Sequence, residues 1–459
     1  MDQVTIIGAG LAGCEAAWQL AARAIPVRLI EMRPVVPSPA HHTAGLAELV
    51  CSNSFKSDDP NTATGLLKRE LEAMGSLTLA VARGTAVPAG AALAVDRSAF
   101  SGRMTDIVSS HPLITVVREE AVDIPPGDVI IASGPLTSDG FQDAITRVVG
   151  PERLSFFDAA APIVDAATID MERVFPASRW DKGGGADYLN CPLDRDEYER
   201  LITEMLGASR VHAKDFERRD LFQACQPVEE VARTGPDALR FGALKPVGLV
   251  DPRTGLRPWA VVQLRPENRA ASAFNLVGFQ TNLTFGEQER VLRLIPGLER
   301  AEFLRYGVMH RNTFIDAPRL LTAGLALRSD PRIHIAGQLC GTEGYLEAAA
   351  TGLLAALDVW RVHEGLPLFA LPETTALGSL IAYATDPETR PYQPMHVNFG
   401  LVPPLETRVS GKQRRYAAYA ERATAARAET LRNRPDLRFR SPTADPGRVT
   451  AEPVSGDVR

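Results

Sequence analysis

The chain has 459 residues, of which 45% are hydrophobic and 23% are charged. Because single hydrophobic cores stop growing at roughly 250 to 300 residues, this length predicts two domains. The net charge of -6 argues against a protein that coats nucleic acid along its whole surface, although it is compatible with a local basic face.

The sequence predicts no targeting or membrane segment. It begins with Met1 and reaches the β-branched run from Val4 without a basic region, and no apolar stretch approaches the roughly 20 residues of a membrane span. We therefore expect a cytosolic protein with no membrane partner. The five cysteines include no CxxC pair, so the sequence predicts neither a disulfide framework nor a metal site, and a functional cysteine would act as a free thiol.

The first segment that indicates a ligand is a strand, a glycine turn and a helix at the N-terminus. A strand is predicted over 4–7, followed by the GxGxxG turn of 8–13, an alanine-rich helix over 14–24 and a second strand over 27–31. In such a unit the glycines permit a tight turn, approach to a pyrophosphate and close packing of the helix, and the closing acid binds a ribose hydroxyl. The residues predicted to bind the dinucleotide are Gly8, Ala9, Gly10, Leu11, Ala12, Gly13 and Glu31.

Two later segments favour FAD over NAD. Residues 128–134 and 332–337 are predicted to be buried strands that end in small residues, as expected where parallel strands reach a cofactor. A glycine-rich loop follows the second strand and precedes an alanine-rich helix over 345–357, so its N–H groups and the helix dipole would face the flavin edge or the pyrophosphate. The alternative is an ordinary strand-to-helix joint. The loop residues predicted to contact FAD are Gly337, Gln338, Gly344 and Tyr345.

These elements predict an α/β protein in which a Rossmann-type FAD-binding domain contains an inserted α+β domain. The FAD-binding domain is assigned to 1–161 and, with C-terminal helices, to 320–432. The insertion is assigned to 162–319, which lacks the rhythm of strand, glycine turn and helix. A surface helix is predicted over 412–432, and the residues from 433 to 459 have the composition of a disordered tail.

Six strings of the sequence resemble the folate- and FAD-dependent tRNA uracil-5-methyltransferases, the TrmFO family. They are ELVCSNS at 48–54, YLNCP at 188–192, FQACQPVE at 222–229, GFQTNL at 278–283, GYLE at 344–347 and VNFGL at 397–401. The resemblance extends over nearly the whole chain to about residue 404. Since no general property of flavoproteins predicts these strings, together they are highly specific.

The resemblance implies a reaction on RNA. Reduced FAD takes the methylene of 5,10-methylenetetrahydrofolate, passes it to C5 of the T-loop uridine at position 54 of tRNA and supplies the reducing electrons, and NAD(P)H then resupplies the flavin. The expected partners are therefore tRNA, folate and NAD(P)H, with no obligate protein partner. The loop over 341–345 is the expected position of the folate, and Tyr345 is either a folate contact or a core residue at a helix start.

Two cysteines receive catalytic roles from the resemblance. C5 of uracil is a poor nucleophile until a group adds at C6, and a thiolate is suited to that addition. Cys225 is assigned as the C6 nucleophile and Cys51 as the acid or base that handles the C5 proton, although the sequence leaves the reverse assignment open. Nearby, His41 and His42 belong to a Pro-rich stretch that is either a solvated loop or a mobile lid.

A basic cluster is the candidate RNA-facing surface, because phosphate contacts provide much of the affinity for nucleic acid even in an acidic protein. The alternative is a solvated, salt-bridged helix face. The residues are Arg290, Arg293, Arg300, Arg305 and Arg311, together with Lys214, Arg218 and Arg219.

Three other functions stay open at this stage. The resembled family includes members that methylate ribosomal RNA, and the sequence does not separate the two targets. The larger flavoenzyme GidA, which modifies wobble uridines, shares the glycine-rich start but carries a long helical C-terminal domain that this sequence does not show, and the Cys51 string favours the methyltransferase. A flavin-binding RNA-binding module without catalysis would leave both motif cysteines unexplained.

Overall fold

The computed structural model describes residues 3–38, 40–150, 154–181, 187–211, 226–266, 271, 273–389, 392, 394–407 and 409–437. Several predictions concern residues outside these ranges. They are the nucleophile Cys225, the basic residues Lys214, Arg218 and Arg219, and the tail beyond Leu437.

The bounds of the regular elements are as follows. In chain order, the described strands are β1 (Val4–Ile7), β2 (Val27–Glu31), β3 (Ser54–Ser57), β4 (Ala86–Val87), β5 (Ala92–Val95), β6 (Ile114–Arg118), β7 (Val129–Ile131), β8 (Leu154–Ala160), β9 (Ile163–Asp165), β10 (Phe175–Pro176), β11 (Leu189–Leu193), β12 (Ala260–Pro266), β13 (Ala273–Leu276), β14 (Phe303–Arg305), β15 (Val308–Ile315) and β16 (Ile333–Ile335). The helices are α1 (Leu11–Ala21), α2 (Ala63–Ala73), α3 (Leu77–Gly84), α4 (Arg97–Ser110), α5 (Asp139–Val149), α6 (Arg195–Gly207), α7 (Val228–Arg233), α8 (Ala238–Phe241), α9 (Phe285–Leu292), α10 (Ala317–Leu320), α11 (Tyr345–His363), α12 (Ala376–Thr385) and α13 (Lys412–Asn433).

A five-stranded parallel sheet forms the first half of the architecture. Its strand order is β16-β7-β1-β2-β6, and each neighbouring pair is parallel. Strands β1 and β7 are buried along their whole length, as expected for apolar runs covered on both faces of a sheet. The Rossmann-type fold predicted from the glycine turn is therefore confirmed, and so are the strands predicted within 128–134 and 332–337.

Helices α1 and α11 pack closely together beside this sheet. A Cβ added at Gly352 would lie 2.1 Å from the carbonyl oxygen of Ala12, so only glycine permits this approach. Helix α1 begins at Leu11, earlier than the predicted start at Cys14, because the last residues of the glycine turn already form its first turn. Helix α11 continues beyond its predicted end at Leu357 to His363. The predicted C-terminal surface helix is confirmed as α13.

A six-stranded sheet forms the second half. Its strand order is β10-β11-β12-β13-β9-β14, and its neighbouring strands are antiparallel. Helices α6, α7 and α9 bury apolar side chains together with this sheet in a separate core that includes Leu201, Val262 and Leu276. Antiparallel strands and helices around an independent core are the α+β architecture predicted for the insertion.

The two halves meet beside a small antiparallel sheet of order β3-β5-β4. The side-chain nitrogen of Asn53, a fully buried residue, donates to Val95 O at 3.1 Å and to Pro266 O at 2.8 Å. The bond to Pro266 attaches the end of β12 to the segment that contains Cys51. Tyr188, which precedes β11, donates its hydroxyl to Ala89 O at 3.2 Å and so attaches the start of β11 to the small sheet. In the described part of the chain, no helix is both long and apolar enough to cross a membrane.

Candidate functional site

The glycine turn has the geometry that a dinucleotide requires. Gly8 has a φ of +99°, and a Cβ there would lie 2.5 Å from Ala132 O on the neighbouring strand. A Cβ at Gly13 would lie 1.8 Å from Gly8 O, which shows how closely α1 approaches the turn. A Cβ at Gly10, in contrast, would have no heavy atom within 4 Å. The turn is therefore closed on the protein side and open at Gly10, where the pyrophosphate is expected.

Gly10 lines a cleft whose empty space, including the part open to solvent, is about 1020 Å³. The cleft joins the N-terminal turn to the loop before α11, two segments at opposite ends of the chain, so the lining fits the predicted dinucleotide. Ala9 and Gly13 belong to the turn but do not line the cleft. The predicted cofactor residues that do line it are Gly8, Gly10, Leu11, Ala12, Glu31, Gly337, Gln338, Gly344 and Tyr345.

Glu31 is a buried residue of the cleft lining and is already hydrogen-bonded within the protein. Its Oε2 accepts from Ala9 N at 2.9 Å, and its Oε1 accepts from Arg33 N at 3.1 Å and from Arg33 Nε at 2.8 Å. Burial would raise the pKa of Glu31, but the hydrogen bonds and charge of Arg33 lower it below its ordinary value. The carboxylate predicted to bind ribose is therefore ionised and fixed by Arg33, a residue that the motif did not indicate.

Arg33 also connects Glu31 to the segment that leads to Cys51. Its Nη1 forms an ion pair with Glu48 Oε2 at 3.0 Å. Glu48 accepts in turn from the backbone N–H groups of His42 at 2.9 Å and Thr43 at 3.1 Å. The sequence left a solvated loop and a mobile lid as alternatives for the Pro-rich stretch that contains His41 and His42. Its hydrogen bonds to Glu48 attach this stretch to the lining of the cleft.

His41 lines the cleft beside Arg33. Its Nδ1 lies 2.5 Å from Ser38 Oγ. Burial, followed by the positive charge of Arg33, lowers the pKa of His41 to about 4. This imidazole is therefore neutral at physiological pH and presents no charge to a ligand.

The Cys51 segment is held against the first residue of α11, Tyr345, which lines the cleft. The hydroxyl oxygen of Tyr345 accepts from Cys51 N at 2.9 Å and from Ser52 N at 3.0 Å. Arg97 donates to Leu49 O at 2.8 Å and to Cys51 O at 3.3 Å. Since Val50 lines the cleft, these bonds place Cys51 directly beside it.

Aromatic packing supports the same arrangement. Phe55 is fully buried, and its ring centroid lies 5.5 Å from that of Phe100 and 5.8 Å from that of Tyr345. Burial, followed by the neighbouring Cys51, raises the pKa of Tyr345, so its hydroxyl stays protonated at neutral pH. Tyr345 therefore starts α11 and packs against the core, as one of the two alternatives has it, and it also lines the cleft and positions Cys51. The alternative of a folate contact stays a prediction.

Cys51 differs from the other described cysteines in its exposure. It is half-buried, whereas Cys14, Cys191 and Cys340 are fully buried. Burial raises the pKa of each of these three thiols. Cys340 donates its thiol to Gly337 O at 2.9 Å, which explains how a cysteine is accommodated in the cofactor loop. Among the cysteines that the structure describes, Cys51 is the one with access for chemistry.

A charged pair lies next to Tyr345 and was not indicated by any sequence pattern. Lys56 Nζ lies 3.4 Å from Glu347 Oε1, and Glu347 is fully buried. The same oxygen accepts from Val397 N at 3.1 Å. Burial, followed by the charge of Lys56, lowers the pKa of His396. The strings at 48–54, 344–347 and 397–401 are thus brought into one site.

The predicted RNA-facing arginines on α9 are salt-bridged. Arg290 pairs with Glu204 and, at 2.7 Å, with Glu287. Arg293 pairs with Glu289 at 2.8 Å. For these two residues the structure shows the salt-bridged helix face that the sequence left as the alternative. The side chains of Arg305 and Arg311 lie outside the described residues.

Comparison with known proteins identifies the family. The family model described as glucose inhibited division protein A matches residues 3–367. A curated relative from Geobacter sulfurreducens, named methylenetetrahydrofolate–tRNA-(uracil-5-)-methyltransferase TrmFO, is 56% identical over 92% of this chain and 97% of its own length. The chain belongs to the TrmFO family. A relative of the same name from Thermosynechococcus vestitus is 55% identical over 92% of this chain and 93% of its own length.

The fold of the TrmFO family member described here is also found in a solved structure. The form II crystal structure of Aquifex aeolicus GidA matches with a TM-score of 0.68 at 18% identity, and the match covers 95% of this chain and 75% of that chain. At this identity the likeness concerns the fold alone. It agrees with the parallel sheet and glycine turn described above.

We predict that substitutions at two glycines of the turn separate cofactor binding from folding. Gly10→Val should leave the thermal unfolding temperature of the FAD-free protein nearly unchanged but remove bound FAD, because the side chain occupies open space where the pyrophosphate is expected. Gly8→Ala should instead destabilise the protein, since its Cβ meets Ala132 O and its φ is positive. Absorbance measures the FAD content of each variant, and melting curves measure its unfolding temperature. A Gly10→Val protein that is yellow, and so still holds FAD, would contradict the assignment of the cleft as the cofactor site.

Proposed function

We propose that this protein forms 5-methyluridine at the T-loop position 54 of tRNA, with 5,10-methylenetetrahydrofolate as carbon donor and with FAD that NAD(P)H reduces again. The observation that best supports this is the placement of Cys51, a half-buried thiol held by Tyr345 beside a dinucleotide cleft. The names of the relatives from Geobacter and Thermosynechococcus support folate and tRNA as substrates. The cytosolic location and the absence of an obligate protein partner remain part of the proposal.

The cleft residues would hold FAD by charge and by backbone donors. The open position at Gly10 and the N-terminus of α1 face the pyrophosphate. Glu31, fixed by Arg33, accepts from a ribose hydroxyl. The loop before α11 presents its N–H groups and the helix dipole to the flavin edge. When bound, FAD in its reduced form would supply the electron pair that converts the methylene carbon of the folate to a methyl group.

The two motif cysteines would act on the uracil ring. The thiolate of Cys225 adds to C6, which places the electron pair on C5 and allows C5 to attack the methylene carbon. Cys51 then takes the C5 proton as the bond between the methylene carbon and its carrier breaks, which leaves an exocyclic methylene on C5. Addition of a hydride to this methylene gives the methyl group, and expulsion of the Cys225 thiolate restores the ring. Tyr345 and Arg97 fix the backbone of Cys51 on both sides, so this thiol would meet the C5 proton without reorganisation of its loop.

Two related functions differ from this proposal in the uridine that is modified. A ribosomal RNA uridine would require the same chemistry, and nucleoside mass spectrometry of tRNA and ribosomal RNA from a deletion strain distinguishes the two. Modification of wobble uridines has weaker support, because the likeness to the GidA structure is 18% in sequence whereas the methyltransferase relatives reach 56%.

The carbon donor provides the direct test of the function. We expect label from 5,10-methylenetetrahydrofolate to appear in the 5-methyluridine of an unmodified tRNA transcript when the FAD-loaded protein and NAD(P)H are present. S-adenosylmethionine carrying a labelled methyl group should give no labelled product, and protein stripped of FAD should be inactive. Transfer from S-adenosylmethionine, or activity without FAD, would overturn the proposal.

The division of roles between the cysteines is tested with tRNA that contains 5-fluorouridine, whose fluorine does not leave as a proton does. Cys51→Ala should retain a denaturation-resistant adduct with this RNA, because Cys225 can still add to C6. Cys225→Ala should form no adduct. It should retain its FAD, because residue 225 lies far along the chain from the glycine turn. Gel electrophoresis of the denatured mixtures reads the result. An adduct that survives loss of Cys225 and disappears with loss of Cys51 would reverse the assignment.

A further inference from the structure

We propose that the insertion carries an arginine–aromatic surface, formed by Arg240, Phe241, Arg257, Trp259 and Trp180, that binds the tRNA away from the reacting uridine. This inference rests on the proposed function, because it identifies where the RNA substrate is held. As the candidate RNA-binding site, this surface replaces the arginines at α9, because their charges are already paired with Glu204, Glu287 and Glu289.

The first observation is an arginine-lined cleft between α8 and the start of β12. Arg173, Arg195, Arg240, Arg253 and Arg257 line this cleft together with Trp259. Three of these arginines pair with the carboxylates of Glu197, Glu199 and Asp251. In the part of the chain that the structure describes, Arg240 and Arg257 have no such ion pair, so two cationic groups remain available to an anion.

The second observation is the way in which Arg240 is held. Its guanidinium carbon lies 3.8 Å from the ring centroid of Trp259, and its Nε donates to Trp259 O at 3.0 Å. Arg195 lies 5.5 Å from the same ring centroid. Stacking fixes the plane of a guanidinium while its outer N–H groups remain directed away, and this arrangement suits the fork-like recognition of a phosphate.

The third observation is the exposure of two large aromatic side chains of the insertion, Phe241 next to Arg240 and Trp180 further along β12. Phe241 is 74% exposed, and Arg240 lies 5.4 Å from its ring centroid. Trp180 is 66% exposed, and it packs over Gly248, so that a Cβ there would lie 2.8 Å from the indole. Aromatic rings and arginine planes are the groups on which unstacked RNA bases pack. An RNA partner therefore explains both the charge and the exposed rings.

Strand β12 connects this surface to the reaction site. It begins at Ala260, next to Trp259, and ends at Pro266, whose carbonyl oxygen accepts from Asn53 two residues beyond Cys51. At about 3.3 Å per residue, the strand spans roughly 20 Å. Trp180 is closer, because the adjacent Arg179 donates to Gln263 Oε1 at 2.9 Å within the same strand. A folded RNA whose loop enters the cleft extends over such a distance.

The experiment measures the affinity of the full-length, FAD-loaded protein for an unmodified tRNA transcript by fluorescence anisotropy at several salt concentrations. Arg257→Glu should weaken binding about tenfold at low salt and reduce the slope of log affinity against log salt by about 1, as for a lost phosphate contact. Phe241→Ala should weaken binding about fivefold at an unchanged slope, as for a lost stacking contact. Both should raise KM for tRNA and leave kcat unchanged.

Arg147→Glu on α5 is the matched control, because Arg147 is also exposed and the change in charge is identical. It should bind tRNA within about twofold of the wild type. If Arg257→Glu and Phe241→Ala bind tRNA with wild-type affinity, or if Arg147→Glu loses as much affinity as they do, the proposed tRNA-binding surface is wrong. The proposed function still stands in that case, provided that the wild-type protein methylates tRNA. A change in oligomeric state of Phe241→Ala at unchanged tRNA affinity would assign the surface to protein contacts instead. Failure of the wild type to bind or methylate tRNA would overturn both proposals.

Discussion

The hydroxyl oxygen of Tyr345 accepts hydrogen bonds from two consecutive backbone N–H groups, those of Cys51 and Ser52. Cys51 and Tyr345 are 294 residues apart in the chain, yet this contact sets the distance between the thiol and the cofactor cleft. Tyr345 is the first residue of α11, and α11 is seated on α1 through Gly352, at the glycine turn itself. The positions of the cofactor and of the half-buried thiol therefore depend on one helix and one hydroxyl group.

The elements with local sequence signals could be predicted. The β-branched run at Val4 and the spacing of Gly8, Gly10 and Gly13 define a strand, a turn and a helix within a few residues, because each glycine meets a steric requirement of that turn. The loop over 337–345 was found in the same way, from small residues between a strand and a helix. Most predicted cofactor residues accordingly line one cleft.

The contacts between distant segments could not be predicted. Arg33 joins Glu31 to Glu48, and Arg97 holds the carbonyl of Cys51, but neither arginine belongs to a motif that indicates its partner. On α9, in contrast, the sequence suggests a free positive charge where there is none. Sequence alone does not reveal that Glu204, on another helix, neutralises the charge of Arg290. Side-chain pairing across the fold decides which charges are available, and in the described part of the arginine-lined cleft Arg240 and Arg257 are the arginines without an ion pair.

The single-turnover rate of methyl transfer in Tyr345→Phe tests the central claim most directly. Phenylalanine keeps the ring packing against Phe55 but removes the acceptor of two N–H groups, whose loss costs on the order of 1 to 3 kcal/mol. Tyr306→Phe, which removes a hydroxyl that donates to Glu289 Oε2 at 3.3 Å in the insertion, is the control. We expect Tyr345→Phe to retain FAD and to transfer methyl at least about tenfold more slowly, while Tyr306→Phe matches the wild type. A wild-type rate in FAD-loaded Tyr345→Phe would contradict the claim that this hydroxyl positions the thiol.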